Sequence, residues 1–315
     1  MHLPSDNSSF PYFPFADDIF KMTMGVQALN PPTLIEVDEA HYHTEIALKH
    51  QLLTGDHETY VQALAGTERE QWEVLALLLP NMAHRYPHHF SLHTDGECWT
   101  WQNHLLDTVT MFRLGDTPGL PLAPLDWLGR QVQEDLLLLS DDADQGMPLI
   151  AGHLCFPNDW CLQDKIGLSF LDVHGPVPLF AQHLGRSSLL LLERLKVGRP
   201  VWRVNWAFKA TSQLPLLPGN AQFLYEEANK KLTRETIGDS CFLRVERQAL
   251  ARLPQTNAIL FTVHTYQTPL AEIVQNVEYA RCIANVVRTT PTELLTYKGM
   301  MPFVDVLLNY VETHS

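Results

Sequence analysis

Three segments in the second half of the chain carry polar side chains at every other position. The rows are Arg203 and Asn205; Arg244, Glu246 and Gln248; and Thr262, His264 and Tyr266. Because residues two apart on a strand share a face, aligned rows predict a floor with guanidinium, carboxylate and imidazole groups. These residue types favour directed hydrogen bonding, which indicates a ligand site. The alternatives are that each row is the solvent face of a half-buried sheet, or that Arg and Glu form a structural ion pair.

His174 stands in a stiff segment that would hold an imidazole in place. It precedes Gly175-Pro176-Val177-Pro178, in which each proline ring fixes the backbone φ angle. A rigidly held imidazole beside apolar residues suits an axial haem ligand. The alternative is an imidazole satisfied by backbone hydrogen bonds, in which case His153 or His264 would be the next candidate ligand.

Most other histidines and the cysteines form no metal motif. The histidines expected to be surface or capping residues are His41, His43, His84, His88, His89 and His93. No HExxH or paired-ligand spacing occurs. The five cysteines are an odd, widely spaced set without a CxxC pair. This spacing argues against a disulfide scaffold or a zinc site and favours a reducing compartment.

The apolar periodicity predicts the elements that would position these residues. Apolar side chains three to four residues apart predict amphipathic helices over 68–86 and 122–139. Alternation predicts strands over 201–208, 241–248 and 258–266, with another at 149–156 and weaker ones at 90–101 and 106–112, all in one antiparallel sheet. An extended arm over 1–35 opens the chain, and helices over 269–289 and 302–313 close it.

Composition narrows the class of protein. The 315 residues are 45% apolar and 18% charged, enough to bury a sizeable core, so we expect a single domain over 1–315. The net charge of −14 argues against nucleic acid as a partner, because phosphate binding requires a basic surface. The apolar runs are too short to span a bilayer and the first residues lack a signal-peptide pattern, so we expect a soluble cytoplasmic protein with no membrane partner.

Five stretches of the sequence follow one another in a recognisable order. They are FKMTMGVQAL (20–29), DWLGRQVQEDLLLL (126–139), CFPNDWCLQDKIGLSFLDVHGPVP (155–178), RPVWRVNW (199–206) and LRVERQALARLPQTNAILFTVHTY (243–266). Together they resemble the successive signatures of the haem-dependent oxidative N-demethylase family, over residues 15 to about 300. One such stretch is weak evidence, whereas five in the family's order are a strong signal.

The resemblance implies an α+β fold, with a PAS-like antiparallel sheet elaborated by N- and C-terminal helices and a b-type haem held in it. It also implies that a haem-dependent monooxygenase subunit removes a methyl group from a small methylated amine such as dimethylamine, with release of formaldehyde. In the family, separate flavin and iron–sulfur reductase subunits deliver the electrons. This sequence has no GxGxxG and no cysteine cluster, so we expect such subunits as separate partners.

The resemblance maps family motifs onto His174–Pro178, Arg203–Trp206 and Arg244–Gln248, and the chemistry of the residues there and nearby suggests their roles. His174 is the expected iron ligand. Glu246 is the expected partner of the protonated amine, and Arg203 keeps Glu246 ionised, steers the oxidant or pairs with a haem propionate. The other residues expected to contact the cofactor are Lys165, Arg186, Asn205, Trp206 and His264. Lys165 is alternatively a solvated loop residue, and His264 lies where the family also has Arg.

The strand alternation makes a geometric prediction: Arg203, Asn205, Glu246 and His264 face one cavity. The alternative functions are a haem-binding PAS-like sensor or carrier module without catalytic turnover, and a scaffolding subunit without haem. The sequence shows no kinase, cyclase or DNA-binding region to receive a signal, which favours the enzyme. A shared fold does not by itself fix the substrate.

Overall fold

The computed structural model describes residues 11–219, 226 and 229–315. These residues form a mixed α/β fold around a seven-stranded sheet in the order β1-β8-β9-β10-β6-β7-β2. Every neighbouring pair in this sheet runs antiparallel. The strands are β1 Gln27–Ala28, β2 Val61–Ala63, β6 Asp135–Leu139, β7 Leu149–His153, β8 Val201–Lys209, β9 Phe242–Arg252 and β10 Ile259–Pro269.

The three long strands at the centre confirm the predictions made from alternation. β9 and β10 are each 11 residues long and pair along their whole length. In the β8–β9 ladder, Asn205 lies opposite Glu246 and Arg203 lies opposite Gln248. Residues directly opposite in a ladder share a face, so these four side chains emerge on the same side of the sheet.

The helix predicted over 122–139 is wrong in its second half. Helix α4 spans only Pro124–Gly129, and Asp135–Leu139 is strand β6, placed between β10 and β7. All five residues of β6 are buried, because both faces of the strand are covered. A strand that is apolar on both faces has no period of two, and its leucines imitate helical spacing.

The weaker predicted strands form a second sheet, so the prediction of one sheet is wrong here. β3 Phe90–Asp95, β4 Cys98–Asn103 and β5 Thr108–Arg113 pair only with one another. Two residues, Gly96 and Glu97, separate β3 from β4, and Gly96 has a φ of 59°. A two-residue turn of this kind favours a local hairpin over pairing with a distant strand.

The helices cover both faces of the main sheet. They are α1 Tyr42–Gly55, α2 His57–Tyr60, α3 Glu68–Arg85, α4 Pro124–Gly129, α5 Phe170–Val173, α6 Arg186–Arg194, α7 Ile237–Ser240, α8 Leu270–Ile273, α9 Val277–Thr289, α10 Thr292–Tyr297 and α11 Val304–Glu312. Helix α3 confirms the helix predicted over 68–86, and α8, α9 and α11 confirm the closing helices. On one face, α3, α4 and the small sheet pack at one end and α9 with α11 at the other. The opposite face lies under α6 and the segment before it.

The arm predicted over 1–35 lies partly outside the described residues, which begin at position 11. Within 11–35 there is no helix, and the two residues of β1 pair with the start of β8. No helix in the described part of the chain is both long and apolar enough to cross a membrane.

Candidate functional site

A cavity of about 630 Å³ lies against the face of the sheet that carries Arg203, Asn205 and Glu246. This volume is in the range of pockets that bind small molecules and cofactors. Strands β6 and β10 give it an apolar end, whereas β8 and β9 give it a polar end. The segment from α5 to α6 and arm residues 20–26 close it on the side away from the sheet.

His174 lies in the wall of this cavity, at the C-terminal end of α5. Its Nδ1 lies 2.8 Å from the carbonyl oxygen of Phe170. A carbonyl can only accept, so Nδ1 carries the proton and Nε2 keeps its lone pair. Among the described residues, Nε2 has no hydrogen-bond partner. Metal-bound histidines use this arrangement, in which the second ring nitrogen donates to a carbonyl and fixes the tautomer.

The segment around His174 holds the imidazole ring at a defined angle. Ser169 caps α5, because its hydroxyl accepts a hydrogen bond from the backbone N–H of Asp172. The Lys165 ammonium donates to the carbonyl of Val173 at 2.8 Å. The Phe180 ring stacks on the imidazole, with centroids 4.4 Å apart and planes 14° apart. The imidazole ring is therefore held by residues that precede it in the chain and by a residue that follows it.

The protonation state of His174 suits metal binding. Burial lowers its pKa to about 4, and the positive charges of Arg203 and Lys165 lower it too, against the opposing effect of the Phe170 hydrogen bond. At neutral pH the imidazole is therefore uncharged. A neutral imidazole is the form that ligates a metal.

Arg203 presents an uncompensated guanidinium to the same cavity. Its Nε is buried without a hydrogen-bond partner, and no carboxylate of the described residues lies within 4.0 Å of it. Burial lowers its pKa, although Glu246 opposes that shift. A buried cation that no carboxylate contacts is costly, so this position is suited to an anionic group of a ligand.

Glu246 is held by the residues beside it on the sheet. Its Oε2 accepts hydrogen bonds from the side-chain amides of Asn205 and Gln248, both at 3.2 Å. Its Oε1 lies 3.5 Å from Nε of Arg244. The Arg244 side chain is fully buried and donates to the carbonyls of Leu214 and Phe156. These hydrogen bonds fix its guanidinium next to the Glu246 carboxylate.

Two lysines at the polar end were missed from the sequence. The Lys209 ammonium donates to a carboxylate oxygen of Asp159 at 2.6 Å and to the carbonyl oxygen of Lys298 at 3.1 Å. Burial lowers the pKa of Lys298 to about 7, with Glu246 opposing the shift, and its ammonium sits 4.5 Å over the Trp206 ring. Lys209 continues the alternation of Arg203 and Asn205, a signal that could have found it. Lys298 follows a short helix and no periodicity marks it.

The prediction that His264 shares the cavity with Arg203, Asn205 and Glu246 is wrong. The register places His264 opposite Arg247, whereas Glu246 lies opposite Thr265. His264 is therefore on the other face, where its Nδ1 donates to Glu134 at 2.9 Å and its ring stacks on Tyr266. Burial lowers its pKa, but Glu134, Glu45 and Glu36 raise it above the usual value on balance.

Two more residues expected to contact the cofactor, Arg186 and Trp206, lie outside the cavity and at its edge respectively. Arg186 is exposed and lines an outer groove beside His174, outside the inner cavity, so its contact with the cofactor stays a prediction. Trp206 does contact the cavity, but its side chain alternates with Asn205 and packs against Phe15 and Lys298. Trp206 therefore shapes the edge of the polar end.

One cluster of possible metal ligands lies close to the cavity. The ligand atoms of Asp135, His153 and Cys155 fall within 4.8 Å of one another. Both Asp135 oxygens already accept backbone N–H groups, at 2.7 and 3.0 Å, and the Lys49 ammonium lies 3.7 Å away. Burial raises the pKa of the Cys155 thiol to about 12, which opposes the thiolate that a metal requires. The cluster is therefore a buried Asp–Lys pair.

Comparison with known families supports this interpretation of the cavity. A family model described as "Haem-dependent oxidative N-demethylase, alpha subunit-like" matches residues 25–308. The cavity residues fit a haem for three reasons. His174 offers a free Nε2, and no carboxylate contacts the Arg203 guanidinium. The apolar walls are Phe170, Phe180, Leu137, Leu139, Phe261 and Val263.

Proposed function

Because the chain belongs to the haem-dependent oxidative N-demethylase, alpha subunit-like family, we propose that it is the haem-binding subunit of an N-demethylating monooxygenase. Its substrate is a small methylated amine of the dimethylamine type. The observation that carries the proposal is a neutral imidazole, with its Nε2 free, in the wall of a cavity that also holds an unpaired guanidinium. We further propose that the cofactor is haem b and that the sheet with its helices is one PAS-like domain.

His174 would ligate the iron through Nε2. The hydrogen bond from Nδ1 to Phe170 fixes the tautomer and orients the ring, while Lys165 holds the turn that carries it. When bound, the haem would supply the oxidative chemistry: dioxygen, two electrons and two protons convert the N-methyl group to formaldehyde, with the demethylated amine and one water as the other products. The electrons come from separate flavin and iron–sulfur reductase subunits.

Arg203 would provide the counter-charge for a haem propionate. A guanidinium binds a carboxylate through two parallel hydrogen bonds, and Nε of Arg203 is one of the unused donors. Lys165 uses one ammonium hydrogen for Val173 and keeps two for a second anionic group. Both cations depress the pKa of His174, so both lie close to the proposed ligand.

Glu246 would bind the protonated amine. Small amines are cations at neutral pH, and burial of such a cation without a carboxylate costs several kcal/mol. Two amides and Arg244 hold the Glu246 carboxylate in place, so little reorganisation is needed when the amine binds. The alternative for Glu246 is a structural pair with Arg244, and the 3.5 Å separation of that pair leaves Oε1 able to accept a hydrogen bond from a ligand.

The test is formaldehyde release from dimethylamine by haem-loaded protein supplied with oxygen and a reducing system. Glu246→Gln keeps the shape and loses the charge. We expect it to retain the haem spectrum and to lose the amine-induced spectral change, with turnover reduced on the order of 100-fold.

Glu193→Gln is the matched control, because Glu193 is exposed in the outer groove and should leave turnover unchanged. Amine-dependent spectral change without any formaldehyde would indicate a sensor or carrier. Normal turnover by Glu246→Gln would contradict the role of Glu246.

A further inference from the structure

We propose that Asn205 and Gln248 select the amine by the number of N–H groups it carries, so that secondary ammonium ions bind in preference to tertiary and quaternary ones. This inference rests on the proposed function. It concerns the carboxylate–amide cluster of Asn205, Glu246 and Gln248 at the polar end of the cavity.

The orientation of both amides follows from the carboxylate between them. An ionised carboxylate only accepts hydrogen bonds, so Asn205 and Gln248 must turn their NH₂ groups towards Glu246. Their carbonyl oxygens then point away from Glu246. No donor among the described residues bonds to either carbonyl oxygen, and both side chains line the cavity.

The cluster therefore offers three acceptor oxygens to a ligand. One is Oε1 of Glu246, because the two amides occupy Oε2 and Arg244 is 3.5 Å from Oε1. The other two are Oδ1 of Asn205 and Oε1 of Gln248. The three residues lie on paired strands, with Asn205 directly opposite Glu246 in the ladder, so the backbone fixes the positions from which their side chains emerge.

Counting donors against these acceptors gives the selectivity. A secondary ammonium has two N–H groups, and can bond to the carboxylate and to one amide oxygen. A tertiary ammonium has one N–H and a quaternary ammonium has none, so a methyl group would face an amide oxygen and leave it unpaired. A site built to accept hydrogen bonds rejects ligands that lack the donor, because its buried polar groups lose their partners.

The cations near the cluster do not occupy its acceptors. Lys209 is paired with Asp159 at 2.6 Å, and Lys298 donates to the carbonyl of Trp206. Arg244 directs its terminal nitrogens at backbone carbonyls and at the Thr265 hydroxyl. Arg203, opposite Gln248 in the ladder, makes no hydrogen bond to the cluster within the described residues. The three oxygens therefore remain available to an amine.

The experiment measures dissociation constants of dimethylammonium, trimethylammonium and tetramethylammonium from the amine-induced absorbance change of haem-loaded protein at neutral pH. We expect wild type to favour dimethylammonium over trimethylammonium by about 10-fold or more. The double variant Asn205→Leu/Gln248→Met removes both amide acceptors and should weaken dimethylammonium by about 10-fold while changing trimethylammonium little, whereas each single variant leaves one amide oxygen and should weaken dimethylammonium less. Gln182→Met, in the exposed turn before α6, is the matched control.

The ratio of the two dissociation constants separates selection from simple support of Glu246. If the amides only hold the carboxylate, the double variant weakens all amines equally and the ratio stays at its wild-type value. That result, obtained while dimethylammonium still binds the wild type, overturns the inference and leaves the proposed function intact. Failure of haem-loaded wild type to bind any methylated amine would overturn both.

Discussion

At the scale of single residues, the cavity is lined by ionisable side chains whose pKa values are shifted by burial. His174 is neutral because burial and neighbouring cations disfavour its charged form. Burial also lowers the pKa of Lys298, because a cation–π contact and a hydrogen bond to a carbonyl compensate its buried ammonium only weakly. Both residues line the cavity and directly follow short helices, α5 and α10.

Lys298 makes stability depend on pH. Its pKa falls from 10.5 in the unfolded chain to about 7 in the fold, so between these values the unfolded state binds one more proton. The free energy of unfolding therefore rises with pH across that window, and below pH 7 the cost of the buried ammonium is roughly 5 kcal/mol. Urea unfolding of Lys298→Met should lose this pH dependence and gain stability near pH 7.

Lys196→Met is the control for that experiment, because Lys196 is exposed. It should keep the wild-type slope of unfolding free energy against pH. Equal slopes for wild type and Lys298→Met would show that Lys298 keeps an ordinary pKa in the fold.

The sequence predicted part of the site, and the missing part has a physical reason. Alternation along one strand correctly grouped Arg203 with Asn205, because the period of two fixes which residues of a strand share a face. It does not fix how the faces of neighbouring strands correspond. That correspondence depends on the register, which sets His264 opposite Arg247 and away from Glu246.

At the scale of elements, the wall of the cavity depends on how helix α6 is anchored. Arg252, at the end of β9, donates from Nε to the carbonyl of Leu195 at 2.7 Å and from a terminal nitrogen to the carbonyl of Leu192. A cation at the C-terminal end of a helix satisfies its free carbonyls and complements its dipole. This contact ties α6, whose Leu192 lines the cavity, to the sheet.

Removal of that anchor should loosen the cavity. Arg252→Met is expected to lower the free energy of unfolding by about 2–3 kcal/mol, the usual worth of hydrogen bonds from a charged group. Haem should also dissociate faster, because the wall over the cavity moves. Arg194→Met removes an exposed cation from the same helix end and serves as the control. Chemical denaturation and haem transfer to apomyoglobin measure the two effects, and equal behaviour of the two variants would refute the anchoring role.

The sequence predicted elements well where one face is polar and poorly where both faces are buried. Strand β8 alternates and was predicted within one residue of its bounds, Val201–Lys209. Strand β6 is buried on both faces, and its leucines fitted a helix equally well. The division into two sheets depends on long-range pairing, which local periodicity does not encode.

At the scale of the whole molecule, the main sheet separates two groups of polar residues. One face carries the cavity with His174, Arg203 and Glu246. The other face carries a buried network in which His264 pairs with Glu134, and Arg247 pairs with Glu36 at 3.0 Å. In the first group no carboxylate contacts Arg203, whereas the charges of the second group form ion pairs, although Glu134 Oε2, His264 Nε2 and two nitrogens of Arg247 also lack hydrogen-bond partners. We therefore expect the two faces to serve binding and stability respectively.

This division predicts opposite effects for changes on the two faces. His264→Leu leaves the Glu134 carboxylate buried without its partner, and should reduce the free energy of unfolding by about 3–5 kcal/mol. Haem affinity of the folded protein should be unchanged. The double variant with Glu134→Gln removes the stranded charge and should recover part of the loss. A loss of haem with full stability in His264→Leu would instead place His264 in the cofactor site.

The measurement that tests the central claim most directly is the absorbance spectrum of haem-loaded protein after His174→Gly. If His174 ligates the iron, its Soret band should shift or disappear, and added imidazole should restore a wild-type spectrum by entering the space left by the side chain. The control is His183→Gly, because His183 is exposed in the turn before α6. His153→Gly is unsuitable, because His153 is buried in the core. A wild-type Soret band in His174→Gly without imidazole would contradict the assignment.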